Sequence, residues 1–144
     1  MNDPTRPPGF AFKRLRLLRA QCEVMNDPND GEDGEIIFNY SDDVRVEGLS
    51  VAVTQSLFVQ VVRPESREHV FLKAYVELEG RFEGGPAVNL DAERFGNEHA
   101  PAILYAFTRE WIHRLTSAAD PWPPVLLPPL NVLQIRKQIT RKNN

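Results

Sequence analysis

The chain has 144 residues, 42% of them apolar and 26% charged, with a formal net charge of −3 and one cysteine. That length suits one domain burying about two-thirds of the unfolded chain's surface. The acidic balance argues against a nucleic-acid binder, and the single Cys22 excludes an internal disulfide framework or a cysteine-rich zinc site. No apolar run approaches the ~20 residues of a membrane span, and the opening MNDPTRPPGF has no apolar secretory region. The expectation is a cytoplasmic protein without membrane insertion.

Charge is unevenly spread. Asp27, Asp30, Glu32, Asp33, Glu35, Asp42, Asp43 and Glu47 stand against Arg45 alone over 27–47, whereas Arg136, Lys137, Arg141 and Lys142 meet no acid. These read as a solvated loop and a solvated tail, or else as partner contacts.

Residues 1–9, with three prolines, read as a disordered arm before a single domain over 10–140 and a basic tail over 141–144. Residues 10–24 fit two patterns. Ala11, Leu15, Leu18 and Cys22 make a helical stripe. Leu15 and Leu17, followed by Leu18, Ala20, Cys22 and Val24, make a strand whose facing switches once, as at a β-bulge. MNDPNDGEDGE at 25–35 is loop chemistry. Alternation is partial over 36–47, through Ile36, Phe38, Tyr40, Val44 and Val46.

The middle of the chain is clearer. Leu49, Val51, Val53, Leu57, Val59 and Val61 share one parity, broken by Gln55. After the turn RPESR, Val70, Leu72, Ala74, Val76, Leu78 and Phe82 face one way. His69, Phe71, Lys73, Tyr75, Glu77, Glu79 and Arg81 face the other. Two alternating arms predict an antiparallel hairpin with one covered face.

Gly84-Gly85-Pro86 ends the sheet. A helix over 101–118 starts at Pro101 and turns Ile103, Leu104, Phe107, Trp111, Leu115 and Ala118 towards the sheet. Five of the nine residues from Pro121 to Pro129 are proline, so this segment is a stiff extended connector. Asn131 to Thr140 fits a last short helix, with Val132, Ile135 and Ile139 along one side.

No catalytic constellation emerges, and the expectation is not an enzyme and no cofactor. Glu110 and His113 have the spacing of one half of a di-iron ligand pair, but such sites need a second copy and two more carboxylates. The loop at 26–37 resembles a calcium loop only at Asp30-Gly31, with Pro28 and Ile37 where ligands belong. Nothing like GxxxxGK[ST] follows Gly84-Gly85. Cys22 reads as a small core residue. What stands out instead is apolar exposure. Phe58, Phe71 and Tyr75 lie on the sheet's other face, and Trp122, Val125, Leu126, Leu127 and Leu130 lie between prolines, a plausible groove wall for extended apolar polypeptide. A small apolar-ligand binder enclosed by sheet and helix is the alternative of another class.

The stretch APAILYAFTREWIHRLTSAADPWPPVLLPPLN resembles the SecB protein-export chaperones. It has their proline-initiated helix with an aromatic residue ahead of Arg-Glu (here Tyr105, Arg109 and Glu110), then a Pro-Pro-Leu loop reaching Leu130-Asn131. FKRLRLLRAQCEV fits the family's first strand, and the hairpin with Val70-Phe71-Leu72 and Phe82 its third and fourth. The resemblance implies an α+β fold, a four-stranded antiparallel sheet with two helices on one face. It implies an ATP-independent chaperone binding unfolded polypeptide, assembled as a homotetramer (a dimer of dimers). On this reading Phe38, Tyr40, Trp122, Leu126, Leu127, Leu130, Val132, Leu133 and Ile135 hold the client, while Tyr105, Arg109, Glu110 and His113 face another copy. In the export branch SecA docks on the sheet face, which carries over to Glu23 and Leu72. Two further acidic positions are matched here by Arg19 and Ala74, and the C-terminus is the basic RKQITRKNN. The segment RLRLLRAQ looks closer to SecB-like chaperones that protect antitoxins, so the expected client is a secretory precursor or a cognate antitoxin.

Overall fold

The structure is a computed structural model and describes residues 9–29, 32–85, 91–119 and 123–127. Four strands, β1 (Phe10–Val24), β2 (Glu35–Glu47), β3 (Ser50–Arg63) and β4 (Ser66–Gly84), form one antiparallel sheet in the order β1-β4-β3-β2. Two helices, α1 (Ala92–Glu98) and α2 (Ala100–Ser117), join at His99 and pack on one face of it. This is the expected α+β architecture. The expected last helix over 131–140, the N-terminal arm to residue 8 and the basic tail lie outside the described residues.

Each strand follows from its side chains. Along β3 the odd positions from Val51 to Val61 are buried and the even ones half-buried, as period two requires. The β2–β3 turn is two residues, Gly48 and Leu49, with Gly48 at φ +61, the first place of a type II′ turn. Strand, not helix, wins for residues 10–24. Two register shifts against β4, between Phe12 and Arg14 and between Leu17 and Arg19, leave Lys13 and Leu18 without partners. The second shift produces the switch of facing seen in the sequence, and Ala20, Cys22 and Val24 then align with Val76, Ala74 and Leu72 on the helix side.

The core lies between the sheet and the helices. Leu57, Leu72, Leu78, Phe82, Phe95, Leu104 and Ile112 are essentially inaccessible. Gly80 lets α2 sit down on the sheet, because a Cβ there would lie 3.1 Å from Leu104 Cδ1. Sequence reasoning missed α1. Asp91 caps it by accepting from the Arg94 N–H at 2.7 Å, and Phe95 stacks on Phe10 with centroids 4.2 Å apart. The N-cap Asp followed by Ala-Glu-Arg was the available signal, obscured by Gly96 and Asn97.

Three facings are corrected. Phe71 is buried, not displayed. A register shift opposite Val61 and Val62 turns it under Arg63 and His69, and the Met25 and Asn26 N–H groups donate to its carbonyl. Cys22 is exposed rather than core, because β1 is an edge strand, and partial burial still pushes its thiol pKa up. The buried side of α2 carries Leu104, Tyr105, Thr108, Ile112 and Thr116, leaving Ile103 and Phe107 exposed and Trp111 and Leu115 half-buried.

Candidate functional site

The segment after α2 is where stiffness and apolar surface meet. Pro123 and Pro124 hold the backbone extended, which leaves the next N–H groups free to bond elsewhere. The Val125 N–H donates to Thr116 Oγ1 at 2.7 Å, and that hydroxyl donates back to the Ile112 carbonyl at 2.8 Å. Val125 and Leu127 are thereby drawn into the core, each 3% exposed, and Leu126 between them projects outward at 73%. The alternation of an extended chain thus turns one leucine to solvent and anchors it on both sides.

The other proposed client residues divide. Phe38 is half-buried against the core on the helix side of edge strand β2, beside exposed Ile36. Tyr40 is 5% exposed and belongs to a buried polar network rather than a surface. The Gln55 amide donates to Tyr40 Oη at 2.7 Å and to the Pro101 carbonyl at 2.9 Å. Thr108 Oγ1 donates to Gln55 Oε1 at 2.6 Å, and the Tyr40 hydroxyl donates to Asp42 at 2.6 Å. The network fixes α2 over β2 and β3. Leu127 anchors rather than displays. Trp122, Leu130, Val132, Leu133 and Ile135 lie outside the described residues.

A second apolar zone was not foreseen. Leu15 and Leu17 stand opposite Gly80 and Leu78, hence on the helix side of the sheet, yet are 38% and 43% exposed because β1 is an edge. Phe107 of α2 reaches Phe12 of the same strand, ring centroids 5.6 Å apart, and Ile103 lies one turn earlier. Edge strand and helix flank together leave apolar side chains without cover.

The residues assigned to contact between copies are only partly outward. Tyr105 is 3% exposed, edge-on to Tyr40, with burial raising its pKa, so it belongs to the core. Arg109 and His113 are half-buried, and Glu110 accepts from Arg114 at 2.7 Å on the open side. No group of three or more His, Cys, Asp or Glu able to hold a metal gathers among the described residues. The SecA carry-over also changes. Leu72 and Ala74 are buried beneath the helices, so of the four matched positions Glu23, opposite Lys73, and Arg19 lie on the outer face. Leu72 and Ala74 share the apolar parity of β4 with Val76 and Leu78, the side that the helices cover.

The acidic segment crosses from one sheet edge to the other. Glu32 takes two bonds from Arg63, at 2.7 and 3.0 Å, and Glu35 one from Arg67 at 2.6 Å. The Arg63 guanidinium holds the Glu32 carboxyl below the ordinary carboxylate range. An open cleft lies elsewhere, at the β2–β3 turn end of the outer face, between Arg45, Ala52 and Arg81.

No protein-family model and no curated protein matches the sequence. Among solved structures, the fold is similar to the Mycobacterium tuberculosis Rv1957 SecB-like chaperone, solved in complex with a ChAD peptide from the Rv1956 HigA1 antitoxin. The TM-score is 0.68 at 18% identity, over 83% of this chain and 88% of that one. A Streptococcus agalactiae protein of unknown function aligns over 83% of this chain and 96% of its own, at 16% identity and TM-score 0.43. The chain therefore has a SecB-like fold. No helix among the described residues is long and apolar enough to cross a membrane.

Proposed function

We propose that this protein is an ATP-independent chaperone, a binding protein rather than an enzyme, that holds extended apolar polypeptide. The observation that carries the reading is the anchored connector. Leu126 is presented on a proline-stiffened backbone pinned by Thr116, so little conformational entropy is lost when a client covers it. The SecB-like fold supports the same reading. A cognate antitoxin is the narrower client class, favoured because the solved SecB-like neighbour holds an antitoxin peptide. Service to SecA in export is the weaker branch. The outer face keeps Glu23 but sets Lys73 opposite it and Arg19 further along the same strand, so a short basic tail peptide is expected to bind weakly.

Assembly belongs to this proposal. Copies would meet through the uncovered zone of Leu15, Leu17, Ile103 and Phe107, and pairs would join through the polar side of α2 around Glu110, giving a dimer of dimers.

The test is suppression of aggregation of a chemically unfolded protein without nucleotide. Near-stoichiometric suppression is expected, with Leu126→Ser weakening client binding severalfold at unchanged melting temperature. No suppression at any ratio would overturn the proposal.

A further inference from the structure

The geometry points to the outward face of β1 as a docking surface for an acidic polypeptide segment, independently of the chaperone reading. Register places the side chains. Arg14, Arg16 and Arg19 stand opposite Arg81, Glu79 and Glu77, whereas the helix-side residues of β4 are Leu78, Gly80 and Phe82. The bulge at Leu18 makes the row. Unbroken alternation would send Leu18 outward and Arg19 under the helices, and the extra residue instead puts arginine at three successive outward places. All three are exposed.

These arginines are not consumed by the fold. The Arg14 and Arg16 side chains make no hydrogen bond or salt bridge among the described residues, Arg16 acting on Glu79 only at longer range. Arg19 is held in place over the Tyr75 ring, 5.4 Å from its centroid, and donates to Gln21. The neighbouring carboxylates are already engaged. Glu79 accepts from Arg45 and Arg81, each at 3.3 Å, and Glu77 accepts from the Tyr75 hydroxyl at 2.8 Å. No described helix lies on this face.

Chemistry selects the occupant. Outward positions on a strand recur about every 6.6 Å, the spacing of alternate side chains in an extended peptide. An extended segment with Asp or Glu at alternate positions matches the row and can take paired guanidinium bonds. Nucleic acid fits less well, because a phosphate backbone would also meet Asp43, Glu47, Glu77 and Glu83 on this face, in a chain of net charge −3. The protein's own acidic crossover is a poorer occupant, since Glu32 and Glu35 are paired with Arg63 and Arg67.

The experiment is fluorescence anisotropy with a labelled peptide alternating Glu and Ala, alongside the same peptide with Gln for Glu. The expected result is micromolar binding of the acidic peptide at low salt, weakened about tenfold near physiological salt and absent for the Gln peptide. The Arg14→Glu plus Arg16→Glu variant should lose at least about tenfold in affinity. Its melting temperature should hold, because neither side chain is paired within the fold. Three results would each overturn the proposal: no binding of the acidic peptide, unchanged binding by the double variant, or equal competition by a single-stranded oligonucleotide of the same charge. Aggregation suppression measured on the same double variant should be unaltered, which separates failure here from failure of the chaperone proposal.

Discussion

Gln55 breaks an otherwise apolar parity in β3, and its surroundings explain why a polar residue is tolerated there. It is fully buried and bonded to Tyr40, Thr108 and the Pro101 carbonyl. Removing one partner leaves buried groups unsatisfied, while removing both sides of a bond does not. Gln55→Leu should cost about 1–3 kcal/mol in urea unfolding. Thr108→Val in addition should cost less than the two single losses summed, because the orphaned hydroxyl goes with it. Strict additivity would mean the two side chains do not interact. The Glu32–Arg63 pair predicts a pH effect at the same scale. Its carboxyl titrates lower folded than unfolded. That stabilisation is complete above the ordinary carboxylate pKa and is lost as pH falls through the folded value. The melting temperature should hold down to about pH 5 and fall below it. Glu32→Gln should fall less steeply.

At the scale of elements, α2 shows what periodicity can and cannot decide. Two stripes at helical spacing lie side by side, Ile103-Phe107-Trp111-Leu115 and Leu104-Thr108-Ile112-Thr116. Hydropathy favours the first, yet the second faces the sheet. Its threonines are acceptable there because Thr108 bonds Gln55 and Thr116 bonds the Ile112 carbonyl and the Val125 N–H. Gln55 and Val125 lie outside the helix, where no helical spacing reveals them. Leu104→Ala should therefore cost about 2–5 kcal/mol in denaturant unfolding, and Phe107→Ala less than half as much. Equal losses would restore the orientation expected from hydropathy. The β3–β4 hairpin was legible because both arms alternate around a short polar turn. Helix α1 was not, being seven residues with a glycine.

The whole molecule leaves its first strand at an edge. Leu15, Leu17, Ile103 and Phe107 are too apolar to remain uncovered comfortably, and long exposed edges invite pairing with another chain. Sedimentation of the unmodified protein should show an oligomer at micromolar concentration. Phe107→Lys should lower the mass towards the monomer while circular dichroism stays unchanged, and Glu110→Arg should shift tetramer to dimer. A monomer before any substitution would remove the assembly proposal.

The sequence by itself determined the β3–β4 hairpin, the long helix and the stiff connector, because alternation, helical spacing and proline act within a few residues of one another. It also carried the SecB resemblance in the order of those elements. Only the tertiary structure decided which side of α2 is covered and how the bulged positions face. The bulge at Leu18 in β1 leaves Arg19 outward, and the bulge at Phe71 in β4 turns that ring under cover. Hydrogen bonds between residues far apart in the chain, such as Gln55 with Thr108, then set the rotation of α2. Facing depends on where one element rests on another, and that energy is shared across the fold rather than written in any single segment.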